Sequence, residues 1–103
     1  MISIEVEKYL ADLGSRLRQA RLKRNEAQAR FAARLGISIP TLRKMEKGDP
    51  SVRVGLWAEA LSMLDRIADF EALLKKRGTL FDRWEEKQRK IRKRASKRKM
   101  TRD

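Results

Sequence analysis

The fold is decided between Gln28 and Lys47, in the stretch QARFAARLGISIPTLRKMEK. Large apolar residues stand at Phe31, Leu35, Ile37, Leu42 and Met45, with the small Ala32 next to Phe31. This spacing predicts two short helices joined by a tight turn. Phe31, Ala32 and Leu35 recur at helical intervals, so the first helix, over about 28–35, buries one face. Ala32 leaves room for the second helix to cross closely. Gly36 can adopt positive φ, which lets the chain reverse without a Cβ clash. Ser38 can cap the next helix, and Pro40 fits its first turn, where a missing N–H costs little. Gly48 ends that helix and Asp49-Pro50 prevents its continuation. A helix pair of this kind is the geometry that carries a helix into the major groove of DNA.

Upstream, Ile4 to about Arg24 reads as a helix or a short lead-in followed by one. Leu10, Leu13, Leu17 and Ala20 make its apolar stripe. Gly14 weakens this segment by about 1 kcal/mol relative to Ala and is a candidate for a break or a close packing contact. Downstream, a fourth helix starts at Ser51 or Arg53 and turns Leu56, Trp57, Ala60, Leu61 and Leu64 inward. A fifth is expected from Asp65 to Arg77, with Ile67, Phe70, Leu73 and Leu74 apolar and Gly78 as its stop. Thr79 and Asp82 then resemble a capping box. Leu80, Phe81, Trp84 and Ile91 can form a stripe on a helix to about Arg94, and the final ASKRKMTRD reads as disordered. The expected fold is all-α: a five-helix domain over residues 1–78 with a basic tail over 79–103.

Composition narrows the chemistry. The chain has 103 residues, room for one compact domain and an appendage. At 41% hydrophobic and 40% charged, it can fill one core but not two. Cys and His are both absent, which removes disulfides, thiolate or zinc sites and the common nucleophile–base pairs. The acids are scattered and no Gly-rich phosphate loop exists. No catalytic residue, metal or cofactor is therefore expected, and an enzyme is not. No apolar run approaches the ~18 residues of a membrane span, and no signal peptide is visible. The expected compartment is a bacterial cytoplasm, in association with the nucleoid.

The formal net charge is +13, and its distribution matters more than its size. Residues 87–102 carry ten Lys and Arg and no acid, whereas residues 1–86 carry 17 against 13 acids, a net of +4. A polyanionic partner follows from such a field. DNA, RNA and an acidic protein satisfy it equally.

The segments LGSRLRQAR (13–21) and LGISIPTLRKMEKGDPSV (35–52) resemble the helix-turn-helix domain of Xre/Cro-type repressors. The resemblance runs from roughly Leu13 to Leu74 and looks most like the HipB-type antitoxin repressors. It implies a lambda-repressor-like fold and a homodimer on a palindromic operator in double-stranded DNA. It also implies autorepression and a HipA-like kinase toxin as partner. It places Ser38, Ile39, Thr41, Arg43 and Lys44 at base edges, where Arg and Lys can donate to guanine and methyl groups can pack on thymine. Gln28, at the start of the second helix, and Lys47, Ser51 and Arg53, around the following loop, fall at phosphate-contacting places. Arg21 and Glu46 would form a structural ion pair that sets the angle of the recognition helix.

Three departures accompany this resemblance. Glu26 stands where an apolar residue is usual. Ala27 replaces the usual Thr or Ser cap, leaving Asn25 as a candidate cap. Ile39 and Pro40 occupy positions that are often polar.

Trp57, Phe70, Leu73 and Leu74 read as core or dimer interface. Three roles fit the tail: a solvated segment, a DNA-gripping arm, or a partner-binding helix anchored by Phe81 and Trp84. Two other functions compete with the antitoxin-repressor reading. One is an interaction adaptor that inhibits a kinase toxin, with DNA secondary; the other is a stand-alone phage-type repressor.

Overall fold

Ser3 opens the first helix: its side chain accepts a hydrogen bond from the N–H of Val6 at 3.2 Å, satisfying a donor that the helix itself leaves unpaired. The computed structural model describes the backbone of residues 1–76 and 80–101, and side chains at 1–76 and 82–95. Among these residues every regular element is helical: α1 Ile4–Lys23, α2 Gln28–Leu35, α3 Ile39–Lys47, α4 Val54–Met63, α5 Ile67–Glu71 and α6 Leu80–Thr101. The chain forms two compact units, Met1–Glu71 and Ala72–Asp103.

In the first unit, Leu17, Phe31, Ala32, Leu42, Met45, Leu56, Ala60 and Leu64 form one buried cluster contributed by α1 to α4 and the α4 C-cap. Phe31, Leu42 and Met45 are its largest fully buried side chains. Ala20, Leu35, Ile37, Ile39, Val52, Trp57 and Met63 pack around it, partly buried. Trp57 is thus neither fully buried nor free of the core.

The first four helices end alike. Asn25, Gly36, Gly48 and Asp65 all take positive φ, between 56° and 77°. In each case the next N–H reaches back five residues, as from Ile37 to the Ala32 carbonyl at 3.0 Å and from Asp49 to the Lys44 carbonyl at 3.0 Å. Asn25 and Asp65 serve because Asn and Asp tolerate the left-handed region better than other side chains. Asn25 is consequently the terminator of α1 and does not cap α2. The α2 cap position is Ala27, which offers no side-chain acceptor.

Gly14 resolves as a close packing contact. A Cβ there would lie 2.6 Å from the carbonyl oxygens of Met45 and Glu46 and from the Gly48 nitrogen. A Cβ on Gly48 would in turn strike the backbone of Leu10 and Ala11. α1 and the end of α3 therefore meet backbone to backbone, which fixes the height of α3 on the domain. Leu13, expected on the buried stripe, is instead exposed at its edge, because the crossing at Gly14 turns that stripe toward Leu17.

The fifth helix is shorter than the sequence pattern suggests. It ends at Glu71, Leu74 takes φ 61°, and Ile67, Leu73 and Leu74 are exposed, with Phe70 half-buried. A short apolar-spaced segment holds its helix only where tertiary packing supports it. α6 errs the other way and continues past Arg94 to Thr101. Its residues contain neither Gly nor Pro and are rich in good helix formers, so the segment expected to be disordered is helical as far as Thr101. Gly78 and Thr79, and with them the proposed stop and capping box, lie outside the described residues.

Candidate nucleic-acid interface

Helix α3 separates its residues sharply. Ser38 caps it, accepting from the Thr41 N–H at 3.2 Å, and the two hydroxyls lie 2.9 Å apart. Leu42 and Met45 point into the core, and Glu46 is buried beside them. Pro40, Arg43, Lys44 and Lys47 are exposed and recur at i, i+3, i+4 and i+7, which is one helix face. Three cations on one rod, with an apolar anchor on its other side, suit a polyanion.

Not every residue expected at base edges lies on that face. Ile39 is half-buried and packs against the core, since it stands one turn before Leu42. Thr41 is half-buried with its hydroxyl engaged by Ser38. Arg43 and Lys44 are exposed, and Lys47, grouped by sequence with the phosphate contacts, shares their face.

Behind the face lies a buried polar joint. The Arg21 guanidinium donates from Nε to Glu46 Oε2 at 2.7 Å and from Nη2 to Glu46 Oε1 at 3.1 Å, and these side chains are only 5% and 4% exposed. Its Nη1 donates to the Glu26 carbonyl at 2.7 Å. Gln28 Nε2 donates to Glu46 Oε1 at 3.1 Å, and Gln28 Oε1 accepts from Arg43 Nε at 3.4 Å. A chain of bonds thus runs from α1 through Glu46 and Gln28 to the exposed Arg43. Removing water from both charges costs free energy that the two-point geometry offsets, so the joint fixes orientation more than it adds stability.

Gln28, Arg43, Glu46 and Lys47 come together with Arg18 around an open depression of about 340 Å³. The sequence reading missed Arg18. Its signal was available: Arg18 is one turn from both Gly14 and Arg21, on the side of α1 that turns toward α3. The same depression sits at the start of α2, whose first-turn N–H groups receive nothing from Ala27 and are left for water or an anion.

Ser51 and Arg53 lie elsewhere. Asp49 Oδ1 accepts from the Ser51 N–H at 2.8 Å and from its hydroxyl at 2.6 Å, so the Ser51 proton is already committed. Those two bonds, reinforced by the charge of Lys44, hold the Asp49 carboxyl below its ordinary pKa. Arg53 occupies the cap position of α4 and is exposed. Phe81 lies outside the described side chains, and Trp84 on α6 is 56% exposed.

Residues 12–74 match the family described as a helix-turn-helix domain. The chain belongs to this Xre-like helix-turn-helix family. No curated protein and no solved structure matches it. Family membership makes the chain a DNA-binding-type module, of a kind that typically carries no catalysis. The buried Glu26, expected as a departure from an apolar position, is only partly partnered: its Oε2 has no hydrogen-bond partner among the described residues. Arg34 of α2 forms an ion pair with its carboxylate, and Arg21 holds its carbonyl. Among the described residues no cluster suits a metal ion, and no helix is long and apolar enough to cross a membrane.

Proposed function

We propose that this helix-turn-helix chain is a sequence-specific transcriptional autorepressor that binds an inverted-repeat operator as a homodimer. The observation that carries the reading is the exposed face of Arg43, Lys44 and Lys47, held by the Arg21–Glu46 joint and the Gly14 crossing. Arg43 and Lys44 are assigned to base edges, where Arg is suited to the paired acceptors of guanine. Ser38 joins them at the groove through its exposed position at the start of α3. Ile39 and Thr41 support α3 from its sides. Phosphate contacts fall to Lys47, Arg53, Arg18 and the N-terminus of α2 beside Gln28. Ser51 contributes only if Asp49 releases its hydroxyl. One recognition helix reads few base pairs, so two, placed about 34 Å apart, supply useful affinity.

The likeness of LGISIPTLRKMEKGDPSV to HipB-type repressors supports the finer reading, an antitoxin or co-repressor of a HipA-like kinase operon in a bacterial cytoplasm. On that reading, residues 1–78 bind DNA and the basic tail, 79–103, serves the DNA or the toxin. The exposure of Trp84 favours a second reading, in which the tail holds the kinase inactive and DNA is secondary.

Footprinting of the chain's own promoter at two salt concentrations tests the repressor reading. Protection of a two-fold symmetric site that persists at the higher salt is expected. Protection without sequence preference, lost at higher salt, would contradict it. A HipA-like kinase that co-purifies with the full chain but not with a chain ending at residue 78 would favour the second reading of the tail.

A further inference from the structure

Gln28 stands between two groups that make opposite demands on it. Its Nε2 donates to Glu46 Oε1 at 3.1 Å, and its Oε1 accepts from Arg43 Nε at 3.4 Å. A carboxylate only accepts and a guanidinium only donates, so one orientation of the amide satisfies both ends and the flipped one satisfies neither. The buried end decides the orientation, because Arg21 holds Glu46 at two points and the Glu46 side chain is only 4% exposed. The amide therefore turns its carbonyl toward Arg43.

That arrangement keeps Arg43 from a stronger competitor. Glu46 lies three residues after Arg43, a spacing at which opposite charges on one helix pair. Glu46 Oε1 already accepts from Arg21 Nη2 and from Gln28 Nε2, at 3.1 Å each. Both lone pairs of that oxygen are thus used. Arg43 meets a neutral acceptor instead, at the long end of hydrogen-bond distances, and stays exposed with its charge unpaired by Glu46. The bond is made by Nε, so the two Nη groups are left for another pair of acceptors.

We infer that Gln28 is a positioning residue for sequence reading: it shields Arg43 from Glu46 and leaves the Nη1–Nη2 edge for the paired acceptors of a guanine. The inference rests on the proposed repressor and on its assignment of Arg43 to a base edge. It gives Gln28 a part in discrimination, in place of the phosphate contact expected from its location at the start of α2.

Gln28→Met keeps the length of the side chain and removes both bonds. It opens Glu46 Oε1 to Arg43, which is then drawn back along its own helix. The test is a double-mutant cycle in the full chain, with Gln28→Met, Arg43→Ala and the two combined. Each is titrated on the protected promoter site and on a scrambled duplex of the same composition. Gln28→Ala repeats the first arm with a smaller side chain. All variants are measured where their circular dichroism matches that of the unaltered chain.

Gln28→Met and Gln28→Ala should each weaken operator binding about five-fold and change scrambled binding less than about two-fold. In the Arg43→Ala chain the same substitutions should have almost no effect, since nothing remains to be positioned. Across operators altered one base pair at a time, Gln28→Met and Arg43→Ala should lose discrimination at the same pair. Equal losses on both duplexes would overturn the inference in favour of a phosphate contact. A loss that persists undiminished in the Arg43→Ala chain would overturn it in favour of a base contact made by Gln28 itself. No loss on the operator would overturn it outright. An unaltered chain that binds both duplexes alike would sink the repressor reading and this inference together. A chain that prefers its operator but gives any of the contrary results loses only the role of Gln28.

Discussion

Arg21 and Glu46 are almost wholly shielded from water and meet at two points, whereas Lys87, Arg89, Lys90, Arg92, Lys93 and Arg94 stand exposed along α6. Both regions are built from charge on helices, yet the physical content differs. In the joint, each atom has a stated partner, so a charge there sets an angle. From Lys87 to Thr101 the charges of α6 share one sign and act by summing a field. A molecule that reads sequence needs the first kind of charge behind its reading helix. The second kind gives attraction to any polyanion without discrimination.

The largest effect expected from breaking this contrast falls on the joint. Glu46→Ala leaves the Arg21 guanidinium buried without its partner and should lower stability by about 3–5 kcal/mol in denaturant unfolding. Arg21→Lys should recover little of the function of Arg21, because an ammonium cannot reproduce the forked contact. Gly14→Ala comes next. The added Cβ meets backbone, which cannot swing away, and overpacking of this kind costs about 1–3 kcal/mol. Gly55→Ala serves as its control: nothing lies within 4 Å of that Cβ, and a gain of about 0.5 kcal/mol is expected.

On α6 the expected response is in salt dependence. Replacing Lys90 and Lys93 by Gln should leave thermal stability of residues 1–71 unchanged. It should flatten the plot of log affinity against log salt by about 0.9 for each phosphate contact removed. The ratio of cognate to scrambled affinity should not move. A fall in that ratio would show that α6 discriminates sequence and would erase the distinction between the two regions.

The smallest effect concerns the loop after α3. Asp49 is held below its ordinary pKa by Ser51, so its contribution is present above the unfolded value of 3.8 and is lost as pH falls through the lowered folded value. Ser51→Ala should move the Asp49 titration, followed by NMR, back toward 3.8.

The helix pair was legible in the sequence because local chemistry and tertiary packing agree there. Phe31, Leu42 and Met45 carry the period, Gly36 and Gly48 carry the reversals, and Ser38 carries the cap. The pairing of Arg21 with Glu46 came from family resemblance, since nothing in periodicity joins residues so far apart in sequence. What escaped was set by three-dimensional context. Leu73 and Leu74 have helical spacing but stand exposed, so burial does not hold α5 past Glu71. The α6 tail has no periodic apolar demand after Ala95, yet its residues all favour a helix. Asn25 looked like a cap because caps and left-handed terminators draw on the same residue types. Arg18 was overlooked because one more cation in a chain with 27 Lys and Arg carries no mark of its own until the Gly14 crossing aims it.

The most direct test of a reading face on α3 compares Arg43→Ala with the unaltered chain on a cognate operator and on a scrambled duplex at one salt concentration. The affinity for the operator should fall by about 1–3 kcal/mol while the affinity for the scrambled duplex changes little. Equal losses on both duplexes would contradict the assignment of Arg43 to a base edge, and with it the claim that the buried joint exists to aim that helix.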